Sequence, residues 1–180
     1  MTLTFDEGAL RLEIEGTRGL KWDDDPAFVL GVRQLQGTKA VDVVADVDGE
    51  GGVYIELKDF RGHRIENADR IRSLDLAQEV AEKVRDTLAG LVWACERGLS
   101  IPDFERLVDP FVNDRDRKPL VVLWIEEDRA DVAAASVLAT EVRKRLKPHL
   151  NARVIVTSTH IERVSKHALQ WLRVRGLPGN

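Results

Sequence analysis

Leu120–Ile125 reads LVVLWI, six apolar residues in a row with no polar alternation. A strand of this kind has to be covered on both faces, which places it inside a sheet with layers above and below it. Helix-patterned segments flank it. One runs from an N-cap at Ser73 to about Arg97, where Gly98 stops it, with an apolar stripe through Leu74, Ala77, Ala81, Val84, Leu88, Leu91, Val92 and Cys95. Another starts at Asp131 and ends before Pro148, with Arg143, Lys144, Arg145 and Lys147 in its last turns, where positive charge suits the helix dipole. Ala152–Val156 reads as a further strand. Strand and helix therefore alternate through the second half, which argues for parallel crossovers. Thr159-His160-Ile161-Glu162 has the form of a capping box, and the spacing predicts a C-terminal helix to about Val174.

The first half is richer in strands. Leu3 and Phe5, then Leu10, Leu12 and Ile14, alternate with polar residues around Asp6-Glu7-Gly8, the pattern of an N-terminal β-hairpin. Phe28–Leu35 is expected as a strand, with a short helix as the alternative. Ala40–Val47 and Val53–Phe60 are apolar and β-branched on either side of the glycine-rich turn Asp48–Gly52, and should pair antiparallel.

With 180 residues, 43% of them hydrophobic and 32% charged, the chain suits one folded domain spanning residues 1–180. The only cysteine is Cys95, which excludes an internal disulfide and a cysteine-based zinc site. A cytoplasmic setting is expected, with no membrane association. The segment MTLTFDEGAL has neither a basic nor an apolar signal region, and no apolar run is long enough for a bilayer. The net charge of −4 counts against a protein that coats nucleic acid generally, but not against a local basic groove.

The chemistry concentrates on Asp42 and on Glu56-Leu57-Lys58. Residues two apart in a strand share a face, so Val53, Ile55 and Leu57 point one way and Tyr54, Glu56 and Lys58 the other. Asp42 lies on the neighbouring strand, and the three polar groups can converge. Two carboxylates held close together repel, and a divalent cation such as Mg2+ or Mn2+ relieves that repulsion. The cation polarises a phosphodiester and acidifies a bound water, while Lys58 can orient that water or offset phosphate charge. The bland alternative is a solvated strand face with a cross-strand ion pair.

An aspartate, a hairpin, Glu56-x-Lys58 and a following helix together resemble the PD-(D/E)xK, restriction-endonuclease-like nuclease superfamily, over roughly Trp22 to Gly98 and more loosely the strand at Leu120. Val41 stands where the motif has proline. The resemblance implies an α/β fold with a mixed central sheet flanked by helices. It also implies Mg2+- or Mn2+-dependent cleavage of DNA, in repair or in defence against foreign DNA, although the superfamily contains members that have lost catalysis. Asp42 and Glu56 would be metal ligands, with Asp23 or Asp24 as a further acidic ligand; the alternative for either is a turn or helix cap. Gln78, which the stripe places on the buried side of its helix, would sit beside the metal or else satisfy a buried backbone group.

Arg61, His63 and Arg64, leaving the strand directly after Lys58, would contact phosphates, as would Lys39 in the turn before Asp42. Double-strand cleavage usually needs two such sites, which favours a homodimer; a compact chain without a separate specificity domain would alternatively borrow specificity from a protein partner.

Overall fold

The computed structural model describes residues 1–16, 18–62, 71, 74–98, 107–109, 111, 118–129, 131–161 and 168–177. Among the described residues, eight strands make two sheets. Strands β1 (Thr2–Glu7), β2 (Leu10–Glu15) and β8 (Leu172–Gly176) form an antiparallel sheet in the order β1-β2-β8. Strands β3 (Arg18–Lys21), β4 (Val43–Val47), β5 (Gly51–Asp59), β6 (Leu120–Glu126) and β7 (Arg153–Thr157) form the second sheet in that order. Within it β3, β4 and β5 run antiparallel, whereas β5, β6 and β7 are parallel.

The parallel pairs require crossovers, and two helices make them: α2 (Asp75–Glu96) between β5 and β6, and α3 (Val132–Leu146) between β6 and β7. A shorter helix, α1 (Pro26–Leu30), precedes β4. Among the described residues no helix is long and apolar enough to cross a membrane.

Strand alternation divides the five-stranded sheet cleanly. Val44, Tyr54, Val121, Leu123 and Ile125 pack with Leu76, Val80 and Val84 of α2 and Leu138 and Val142 of α3. Val43, Ala45, Val53, Ile55, Leu57, Val122 and Trp124 pack with Leu10, Leu12 and Ile14 of the small sheet. The chain is thus layered as helices, five-stranded sheet, three-stranded sheet. Every residue of β6 is buried, as its apolar run requires.

At the first turn, β1 and β2 pair from Thr2↔Glu15 to Glu7↔Leu10, leaving Gly8 and Ala9 as the connection. Gly8 has φ +54°, a left-handed conformation that costs glycine little.

Two expectations are corrected. Phe28–Leu35 is not a strand: α1 and a 3-10 turn at Val32–Gln34 occupy it. The Asp25 carboxylate accepts from the Ala27 N–H at 2.8 Å, and Pro26 takes the first helical position, so the helix start is specified locally. The chain end at Leu172–Val174 is not helical either. It belongs to β8, where Leu172 is buried opposite Ile14 while Arg173 and Arg175 pair with Glu15 and Glu13 of β2. The start of the expected C-terminal helix, at 162–167, lies outside the described residues, as does Ser73.

Candidate functional site

The register Val43↔Ile55 and Val44↔Tyr54 fixes the centre of the site. Val44 and Tyr54 face the helices. Asp42 lies two residues before Val44 and Glu56 two after Tyr54, so both carboxylates fall on that same face, opposite each other. Both are buried, with side-chain exposures of 7% and 1%. Asp42 Oδ2 accepts from the Leu57 N–H at 2.7 Å, which ties the carboxylate to β5. The Val41 N–H donates to Thr87 Oγ1 at 3.0 Å, and that buried hydroxyl anchors the segment to α2.

Helix α2 supplies the opposite wall. Glu79 and Lys83, four residues apart, lie on one side of it. Lys58 Nζ stands 2.8 Å from Glu56 Oε1 and 2.9 Å from Glu79 Oε1. Lys83 Nζ stands 2.6 Å from the same Glu56 oxygen and 3.7 Å from Asp42 Oδ1. One ammonium group therefore bridges Asp42 and Glu56.

A second group of acids meets the first at Asp42. The Trp22 N–H donates to the Asp42 carbonyl at 2.9 Å, which draws the turn after β3 against the start of β4. Oxygens of Asp23, of Asp42 and of Glu7 at the end of β1 all lie within 4.8 Å of one another. This acidic cluster offers oxygen donors alone, the set a hard divalent cation takes, and oxygens bound to one such ion sit about 3–5 Å apart. Lys21 Nζ lies 3.0 Å from Glu7 Oε2 and 2.8 Å from Asp24 Oδ2, at the outer side of the cluster.

The electrostatics are those of crowded, dry acids. Burial, and then the neighbouring Glu56, push the Asp42 carboxyl up to about 7, against the opposing pull of Lys83 and the Leu57 N–H. Burial pushes Asp23 up to about 6, with Lys21 opposing and Glu7 adding. Burial works against the charge on Lys58, but Glu56 and Glu79 outweigh it and the ammonium is held above its ordinary range. Among the described residues, Glu7, Asp23, Asp42, Glu56 and Glu79 stand against Lys21, Lys58 and Lys83, so at least two negative charges are uncompensated when all are ionised. Glu56 Oε2 and Asp23 Oδ1 are buried without a hydrogen-bond partner. Orphaned carboxylate oxygens of this kind are what a cation would satisfy, so the residues present fit a divalent metal.

Of the residues expected from sequence, Asp42, Glu56 and Lys58 come together and Asp23 joins them through Asp42. Gln78 does not. It is exposed, donating to Glu82 Oε1 at 2.8 Å and accepting from Arg145 Nε at 3.1 Å, because the buried band of α2 is turned toward Leu76, Val80 and Ala94. Lys39 is bound to the surface of α2, with Nζ 2.7 Å from Glu82 Oε2. Arg61 pairs with Asp59 in an exposed bidentate contact. His63 and Arg64 lie outside the described residues. Asp24 pairs with Lys21, and Asp25 caps α1.

Glu7, Glu79 and Lys83 went unforeseen. The Glu79–Lys83 spacing was a readable helical pair. Glu7 carries no local signal, since only the packing of the small sheet brings it in.

Compared with known proteins, the chain matches no family model, and neither a curated protein nor a solved structure is significantly similar to it.

Proposed function

We propose that this chain is a divalent-cation-dependent nuclease acting on DNA, with a restriction-endonuclease-like core. The observation that carries the reading is the convergence of Asp42, Glu56 and Lys58 on the helix face of β4 and β5, with unpartnered carboxylate oxygen beside them. Asp42, Asp23 and Glu7 would hold the metal, with Glu56 next to Asp42. Bound there, Mg2+ or Mn2+ would supply neutralisation of phosphodiester charge and an acidified water.

The chain's own residues supply the rest. Lys58, clamped between Glu56 and Glu79, stays protonated at neutral pH. Its role is therefore electrostatic, holding a phosphate or water oxygen, and not that of a base. Asp42, titrating near neutrality, is the group best placed to exchange a proton for a cation. Arg61, two residues past the end of β5, would offer its guanidinium to the DNA backbone in place of Asp59.

A second reading has its own observation. Lys58 and Lys83 both already contact Glu56 Oε1, which suits a member of the same fold that has given up catalysis and binds nucleic acid or a protein partner. The two part on one experiment. The purified chain is incubated with supercoiled plasmid and single-stranded DNA in Mg2+ or Mn2+, beside Glu56→Gln. Metal-dependent cleavage lost in the variant is the result expected of the nuclease. Cleavage that survives Glu56→Gln lies elsewhere than this site, and no cleavage by either protein favours the binding module.

A further inference from the structure

Resting on the metal-centre reading above, we propose that Lys83 is a tethered counter-cation: its ammonium occupies part of the divalent-cation site and has to swing out for a metal to bind. The two lysines at the site are not equivalent. Lys58 is pinned by short contacts to two carboxylates, at 2.8 and 2.9 Å. Lys83 has one short contact, 2.6 Å to Glu56 Oε1, and one long one, 3.7 Å to Asp42 Oδ1.

Asp42 is also the residue shared with Glu7 and Asp23, so Lys83 sits where the two acidic groups join. It acts electrostatically on Asp23 as well. A dication bound at Asp42 would repel an ammonium held a few ångströms away, and the repulsion is strong in a buried setting. The Lys83 side chain is 17% exposed, so it is not sealed inside the core. When it leaves, Glu56 keeps Lys58 and Asp42 keeps the Leu57 N–H. Lys83 therefore offsets part of the acidic charge when metal is absent, and metal binds weakly because it has to displace a positive charge already in place.

Mn2+ binding to the full chain tests this, read from the unbound Mn2+ signal in electron paramagnetic resonance, for the wild type, Lys83→Gln and Lys83→Arg. The expected result is at least about tenfold tighter binding by Lys83→Gln, with Lys83→Arg, which keeps the charge, close to wild type. Equal or weaker binding by Lys83→Gln overturns the role of Lys83 while leaving the metal centre standing. Equally tight binding by Lys83→Arg overturns it too, since charge would not be the cause. Absence of Mn2+ binding in all three proteins overturns both this inference and the metal-centre reading. Should Lys83→Gln be unfolded without metal, recovery of its far-UV circular dichroism as Mn2+ is added supports the proposal, and failure to recover overturns it.

Discussion

Asp42→Asn isolates the electrostatic cost of the site. The substituted amide has the shape of the carboxylate, and its oxygen can still accept from the Leu57 N–H that Asp42 Oδ2 accepts from at 2.7 Å. What changes is the charge. The Asp42 carboxyl is raised from 3.8 to about 7, first by burial and then by Glu56. A raised acid binds more protons folded than unfolded, so its contribution to stability is fully present below about pH 4 and is lost as pH rises through about 7. A shift of about three units at about 1.4 kcal/mol each sets an upper bound of about 4 kcal/mol.

Urea unfolding of wild type and Asp42→Asn in a chelator, at intervals from pH 4.5 to pH 8, reads this directly. The wild type should lose stability relative to the variant as pH rises, by about 2–4 kcal/mol across that range, and the variant should be the more stable protein at pH 8. A stability difference that does not change with pH would refute the claim that Asp42 is a strained, dehydrated acid.

Other expectations follow from single contacts. If the proposed nuclease activity is present, Glu56→Gln should keep the fold and reduce metal-dependent DNA cleavage by about a hundredfold or more, measured by nicking of supercoiled plasmid. Gln78→Ala, on the exposed side of α2, should leave Mn2+ affinity and cleavage unchanged and stability within about 0.5 kcal/mol, checked by Mn2+ titration and urea unfolding. Gly90→Ala puts a methyl 2.9 Å from the Trp22 ring. Helix propensity alone would favour alanine by about 1 kcal/mol, so a net loss of about 1–3 kcal/mol in urea unfolding would show the overpacking. Because Asp23 follows Trp22, Mn2+ affinity should fall as well.

Much of the scaffold was legible because its signals are local. The apolar run of β6, the turn between β4 and β5, and the Asp131 cap of α3 each specify their element from neighbouring residues. The C-terminal strand was legible in principle, since Leu172-Arg173-Val174-Arg175 alternates with a period of two, but the capping-box pattern upstream favoured a helix. Asp42, Glu56 and Lys58 could be placed together because one antiparallel register relates them.

Gln78 was misplaced by helix phase. Centring the stripe on Ala81 and Leu88 turns the buried band away from Leu76 and Val80, which puts Gln78 inside and leaves Glu79 and Lys83 outside. Glu7 was beyond reach from sequence. It approaches Asp42 only because β2 packs its apolar face on β4 and β5, a long-range consequence that no local pattern announces.

The most direct test of the metal centre is a crystal structure with Mn2+ present and anomalous scattering recorded. A peak is expected about 2.2 Å from an Asp42 oxygen, shared with Asp23, Glu7 or Glu56, with Lys83 displaced from its contact with Glu56. Absence of a peak at Asp42 at millimolar Mn2+, with Lys83 still bridging the two carboxylates, would contradict the metal-centre reading.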